Sequence, residues 1–349
     1  MPDEKTAITE VVTGLGATGV GSIDEALAAR PKALTGIDDP TWERIIRARS
    51  EGRHEPLFAA AWDNGRAFFE AREGLRRRRP LIVEWKGPHK PPGYDSLPAD
   101  LRIDHVFLIS CKYGSDISAN CSPSNLFDRL LADRSRGGEP WYDAVAPGPY
   151  AAFYAELRRV VPDLPSDVAS LSPHDLVRVR EVCSRQWPAA LDEPWRSFSY
   201  DVAVASAARW KARLDTTAKR ELMLWRLLRL ETSPYFVLGM SKVGVPIRYR
   251  VATPWDWRQS FALKSFSVDP AVAGQPLVLW QAVVRERSSN VDRTVGGNVE
   301  VRWSHGRFSA VEAKLHLMTS PHEVPGYFPL AAGRRSRGEP PPRLPGFSA

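Results

Sequence analysis

Two Glu-x-Lys triplets stand in the chain, Glu84-Trp-Lys86 and Glu312-Ala-Lys314. Metal-assisted phosphodiester cleavage uses these residue types: carboxylates hold a divalent cation, and a lysine steadies the attacking water and the charge that develops on the phosphate. The triplets alone decide nothing, because 20 glutamates and 10 lysines in 349 residues give about 0.6 of them by chance. A third arrangement is more specific. Asp100 precedes a β-prone run, Val106-Phe-Leu-Ile-Ser110-Cys-Lys112, that ends on a lysine, and Glu84 lies on a strand-like segment just before it.

Geometry helps to choose the acid that works with Lys112. Were residues 104 to 112 one extended strand, eight steps at ~3.3 Å would put Asp104 about 26 Å away, too far to share a metal. A tight turn near Asp104-His105 instead lays Asp100 on the neighbouring strand, opposite the Ser110–Lys112 end. Asp100, in its Pro98-x-Asp100 context, is the first choice of metal ligand. An unbroken 100–112 segment would move that role to Glu84. Glu70, on the helix before it, is a further carboxylate within the same stretch.

Other motifs carry less. Gly14-Leu-Gly16-Ala-Thr-Gly19 follows a strand-like run, Ala7–Thr13, but the helix cap at Ser22 comes after the last glycine. In a dinucleotide site the helix starts within the glycines and faces the pyrophosphate. The stretch therefore reads as a Gly-rich linker. Cys111, Cys121 and Cys183 have neither metal-ligand nor disulfide-framework spacing. The C-terminal part interleaves aromatics with arginines, among them Arg248, Arg250, Arg258, Arg302 and Arg307, types that contact phosphates and stack on bases. The plainer reading is a tryptophan core under a solvated arginine face. A second Glu-x-Lys hairpin, Glu300 with Glu312 and Lys314, lies in the same region.

The elements that must position these groups follow from pattern. Ser22-Ile-Asp-Glu25 caps a helix over Ile23–Arg30, Asp39-Pro40 opens another over Thr41–Ser50, and a longer one spans Pro56–Arg77. Leu81–Trp85 is a strand, Gly87–Ser96 a Pro/Gly loop, and Ser122-Pro123 opens a helix through Arg134. Residues 148–232 carry three helical patterns, the longest over Trp195–Leu230. From Tyr235 the chain is β-rich, and Gly333–Ala349 reads as a disordered tail. Expected divisions are an N-terminal helical extension at 1–55, a core at 56–245 with a helical insertion at 148–232, and a DNA-contacting β region at 246–332.

The order helix, strand, acid-bearing strand, lysine-bearing strand, helix over residues 60–135 resembles the PD-(D/E)xK nuclease superfamily. Ser110-Cys-Lys112 resembles its Ser-x-Lys variant. The resemblance implies an α/β restriction-endonuclease-like core with a helical insertion and a β-rich C-terminal part. It also implies a Mg²⁺-dependent (or Mn²⁺-dependent) DNA endonuclease of prokaryotic restriction or anti-phage defence. Asp100, Glu84 or Asp104 would serve the metal site beside Ser110 and Lys112, with Glu70 as a further ligand. A homodimer or a defence-system protein would be its partner. The alternative is a non-catalytic nucleic-acid-binding subunit on the same fold, and a third reading is a structural protein with no nucleic-acid role.

Composition agrees with a polyanion partner without requiring one. Net charge is +7 with pI near 9.4, and 38 of the 48 basic residues are arginines. Codon bias alone could produce that arginine excess. No apolar run approaches the ~18 residues of a membrane span, the N-terminus lacks a signal-peptide core, and the three cysteines point to a reducing, cytoplasmic setting.

Overall fold

The computed structural model describes residues 3–87, 99–114, 118–132, 140–183 and 186–331. Two compact units result. The first takes described residues up to 114, then 234–251 and 328–331; the second takes 118–233 and 252–327. Pro98, most of the Gly87–Ser96 loop, Arg134 and the 333–349 tail lie outside the described residues.

In chain order the first unit opens with α1 (Glu4–Ala17), α2 (Ile23–Ala29), β1 (Leu34–Thr35), α3 (Asp39–Ser50) and α4 (Glu55–Glu70). It continues with β2 (Val83–Trp85), β3 (Leu101–Ile103) and β4 (Phe107–Tyr113). The second unit follows with β5 (Ser118–Cys121), α5 (Pro123–Phe127), α6 (Trp141–Val145), α7 (Pro147–Val160), α8 (Pro173–Val182), α9 (Ala189–Arg213) and α10 (Thr217–Leu227). Next come β6 (Tyr235–Met240) and β7 (Pro246–Val251) of the first unit. The chain closes with α11 (Pro254–Ser260), β8 (Phe261–Val272), β9 (Pro276–Glu286), β10 (Asp292–Trp303), β11 (Val311–Leu317) and β12 (Tyr327–Pro329).

The fold is mixed α/β. A seven-stranded sheet has the order β1-β2-β3-β4-β6-β7-β12, and a five-stranded one the order β5-β11-β10-β9-β8. In the first sheet β2, β3 and β4 form an antiparallel meander, β6 lies parallel to β4, and β7 is antiparallel to β6. A parallel pair needs a long crossover, and here residues 114–234 supply it.

Ala7–Thr13 is helical, not extended. The strand-like run is part of a helix whose residues from Ala7 through Ala17 are all buried except Glu10, a case that periodicity cannot separate from a buried strand. Nor are its glycines a linker or a phosphate loop. A Cβ on Gly65 of α4 would lie 2.1 Å from the Thr13 carbonyl and 2.8 Å from Gly16 Cα, so α1 and α4 cross backbone to backbone. The described residues of 1–55 thus contribute to the core of the first unit and are no separate extension. Phe68 of α4 packs edge-on against Phe107 and Phe236 at 5.5 and 5.0 Å and pins that helix to the sheet.

Other boundaries shift for local reasons. The helix expected over Pro56–Arg77 stops at Glu70, and Arg76 and Arg77 take left-handed backbone conformations. The pattern Trp195–Leu230 is two helices, α9 and α10, with Thr216 capping the second by accepting from Lys219 N–H. The expected β region 246–332 is also divided, because β7 belongs to the first sheet while β8 to β11 build the second. In the second sheet Val278, Trp280, Ala282 and Val284 alternate inward along β9, the period-2 pattern of a half-buried strand.

Candidate functional site

The hairpin that brings Asp100 beside β4 turns at Asp104-His105, both with positive φ (50° and 59°), and Val106 N–H donates to Ile103 O at 3.1 Å. Asp and His tolerate the left-handed region better than branched residues do. Leu101 is then the register partner of Ile109, which puts Asp100 across from Ser110. Three hydrogen bonds fix Asp100. Its N–H donates to Ile109 O (2.8 Å), its carbonyl accepts from Lys86 N–H (2.9 Å), and its Oδ2 accepts from Cys111 N–H (2.7 Å). The carboxylate thereby takes a strand acceptor's place, and Oδ1 makes no hydrogen bond among the described residues.

Alternation sorts the side chains by face. Phe107, Ile109, Cys111 and Tyr113 join the core under α1 and α4, so Leu108, Ser110 and Lys112 take the opposite face. Register extends that face through Arg102 and Glu84 to Lys86. Ser110 is 1% exposed, and its hydroxyl has no hydrogen-bond partner among the described residues. An orphan of this kind costs roughly 1–3 kcal/mol and calls for an explanation.

Glu84 is engaged. Arg102 grips its carboxylate with two nitrogens, Nη2 at 2.6 Å, and His105 Nδ1 approaches at 3.3 Å. The Arg102 hydrogen bond holds the Glu84 carboxyl below its usual range against the opposing effect of burial. Lys86 is 7% exposed, and burial, with Arg102 nearby, lowers its ammonium pKa. The face therefore holds one carboxylate with an open oxygen, one buried hydroxyl, one bound acid–arginine pair and two lysines.

Asp100, Ser110 and Lys112 are brought together; the other acids have different work. Asp104 accepts from Leu81 N–H (2.7 Å) and Ile82 N–H (3.2 Å) and pairs with Arg78 at 2.6 Å. It ties the turn to the segment before β2. Burial opposes its ionisation, yet Arg78 and these amides keep its pKa low. Glu70 lies on α4, behind the opposite face of the sheet, and pairs with Arg66 at 3.2 Å. Asp100, Glu84 and Glu70 accordingly do not form one ligand set, and no cluster of three or more His, Cys, Asp or Glu suited to a metal occurs among the described residues.

The arginines expected to contact DNA fall in both units and are engaged within each. Arg248 Nε donates to Asn64 Oδ1 at 2.7 Å, and Arg250 lies 5.1 Å over the Phe328 ring. In the second unit Arg258 pairs with Glu221 (2.7 Å) over Trp225, Arg302 pairs with Glu312 (2.9 Å), and Arg307 stacks 3.4 Å over Trp187. Glu300 and Lys314 are register partners, as are Arg302 and Glu312. The rival hairpin is thus a ladder of opposite charges, a pairing that stabilises sheets by itself.

Sequence reading gave Lys86 no part in the site beyond its triplet, although burial beside the Glu84–Arg102 pair makes it part of this face. It also gave no role to Asn64, fully buried on the helix that precedes the strands, which donates to Gly239 O (2.9 Å) and the Tyr113 hydroxyl (3.1 Å). A lone asparagine within an apolar helical stripe was the available signal. No helix among the described residues is long and apolar enough to cross a membrane. Comparison with protein-family models, curated proteins and solved structures finds no match to this chain.

Proposed function

We propose that the first unit is a metal-dependent DNA endonuclease core of restriction-endonuclease-like fold, serving restriction or anti-phage defence. One observation carries this reading: Asp100 is clamped opposite the buried Ser110 hydroxyl, which has no partner among the described residues, two residues before Lys112 on the same strand and face. The order α4, β2, β3, β4 supports it, as does β6 alongside β4, because the acid and the lysine fall at the expected ends of adjacent strands.

The donor set fits a hard cation. Mg²⁺ is commonly held by one or two carboxylates, with waters and substrate phosphate completing its shell. Asp100 Oδ1 and Ser110 Oγ are the oxygens that would hold it, and Mn²⁺ would substitute. Bound there, such an ion would polarise a phosphoryl oxygen and make a water more acidic. Lys112 contributes positive charge where the phosphate becomes more negative, and Glu84 keeps Arg102 and Lys86 in place on the same face.

The test is cleavage of supercoiled plasmid with Mg²⁺, Mn²⁺ or EDTA by wild type, Lys112→Ala and Asp100→Ala. Metal-dependent nicking lost in both variants supports the reading, and nicking that survives Lys112→Ala overturns the site. Glu84 being already bound to Arg102 favours a second reading, a non-catalytic nucleic-acid-binding subunit. That reading expects no cleavage but DNA affinity that falls steeply with salt.

A further inference from the structure

A cavity of about 330 Å³ opens on the α4 side of the first unit, lined by Asp63, Arg66, Ala67, Glu70, Arg248, Leu330 and Ala331. We infer that it is a second ligand site, for a small phosphate monoester, with Arg248 as the anion-binding group. The inference is independent of the nuclease reading, because Arg248 sits on the sheet face opposite Ser110.

Arg248 is held from behind. Asn64 must donate its amide nitrogen to Gly239 O and the Tyr113 hydroxyl, so its Oδ1 is left to accept from Arg248 Nε. The Tyr113 hydroxyl is in turn bonded to Thr13 Oγ1 at 2.7 Å, and Thr13 Oγ1 donates to Thr9 O at 2.6 Å. This buried relay fixes the guanidinium plane through Nε. The two terminal nitrogens make no ion pair or hydrogen bond among the described residues. A fixed arginine fork with open ends is suited to paired bonds with an oxyanion, and burial behind it lowers the entropy lost on binding.

The remaining charges select the ligand further. Arg66 is taken up by Glu70 at 3.2 Å and lies 5.2 Å over the Phe69 ring, so that pair adds no net charge. Asp63, exposed on the cavity wall, has no hydrogen bond or ion pair among the described residues. A ligand with phosphate at one end and hydrogen-bond donors at the other meets both Arg248 and Asp63. The volume lies at the lower end of the roughly 300–1,000 Å³ of small-molecule sites. Nucleoside monophosphates have this size and this placement of groups.

The experiment is calorimetric titration of the full chain with AMP and, separately, inorganic phosphate and a short DNA duplex. Wild type, Arg248→Ala and Ala67→Phe are compared. Saturable one-site AMP binding is expected, weakened roughly 10- to 100-fold in Arg248→Ala, the loss of a charge-assisted pair. Ala67→Phe fills the cavity, leaves the Asn64 relay untouched and should abolish binding; it carries the test if Arg248→Ala fails to fold. No saturable AMP binding by wild type, or binding unchanged in Ala67→Phe, overturns the inference. DNA binding that depends on Arg248 without any AMP binding also overturns it, since the phosphate would then belong to a polynucleotide. AMP binding no tighter than phosphate overturns the part given to Asp63.

Discussion

Replacing Ser110 by alanine distinguishes a structural serine from a functional one. The residue is 1% exposed, and its hydroxyl finds no hydrogen-bond partner among the described residues. A buried hydroxyl in that state costs roughly 1–3 kcal/mol, and alanine removes it. The void left is one oxygen, smaller than a methyl group, and gives back no more than about 0.5–1 kcal/mol. The expected net change is stabilisation by about 1 kcal/mol, a rise of roughly 3–5 °C in the melting of the first unit. Plasmid cleavage should meanwhile fall, because the same oxygen is the second proposed metal donor. Urea unfolding at constant m-value reads the first quantity, and the nicking rate at saturating Mg²⁺ reads the second. Destabilisation by more than about 1 kcal/mol would refute the reasoning, since it would show that the hydroxyl already has a partner and is not open to a ligand.

Gly65→Ala should destabilise by roughly 2–4 kcal/mol in urea unfolding, because its Cβ would meet the Thr13 carbonyl at 2.1 Å, while Gly148→Ala, with nothing within 4 Å, should be neutral or slightly stabilising. Asp104→Ala should cost roughly 2–3 kcal/mol, since two backbone amides and Arg78 lose their acceptor, yet leave cleavage per folded molecule unchanged; a specific loss of rate would return Asp104 to the site. Glu84 has a folded pKa below its ordinary 4.5, chiefly through the Arg102 hydrogen bond, so its contribution is fully present above that pH and lost as pH falls through the folded value. The stability advantage of wild type over Glu84→Gln should therefore be full at pH 6–7 and shrink below about pH 4.5, and a gap that is constant from pH 7 to 3 would show that the pair contributes nothing.

The meander was legible because its signals are local. The β-prone run, the Asp104-His105 turn and the length of an extended strand together fix which acid can stand opposite Ser110, and the register agrees. Strands β6, β7 and β9 to β11 were legible as apolar or alternating runs, since burial of one face writes itself into the chain at period 2. Helix α1 was not legible, because a helix covered on all sides has no polar face to reveal its period. Its glycines also carry opposite meanings in one dimension and in three. As a run they suggest a flexible link, but Gly16 sits at the α1–α4 crossing, where a Cβ would lie 2.5 Å from the Trp62 carbonyl. The division of the C-terminal strands between two sheets depends on pairings more than 100 residues apart, which no local pattern records.

The roles of the charges were legible only in type. Sequence ranked Asp100 first, ahead of Glu84, Asp104 and Glu70; packing gives those three to Arg102, Arg78 and Arg66 and leaves Asp100 as the one of the four with no arginine partner among the described residues. The same reasoning accounts for serine at position 110. An acid there would face Asp100 across the strand pair at a site that is 1% exposed, and two carboxylates so placed cannot both stay ionised without a bound cation. Such a site ties folding to metal, because the apo state must either protonate one acid or bear the repulsion. Serine removes the repulsion and substitutes a neutral orphan, whose cost of roughly 1–3 kcal/mol is well below that of an unpaired buried charge. The sheet can then form without an ion, and in the proposed site the weaker donor set would leave more of an ion's shell to be completed by substrate phosphate. Under the proposed nuclease reading, a cation held in this way would bind tightly only with nucleic acid present, coupling metal occupancy to the substrate instead of to the fold.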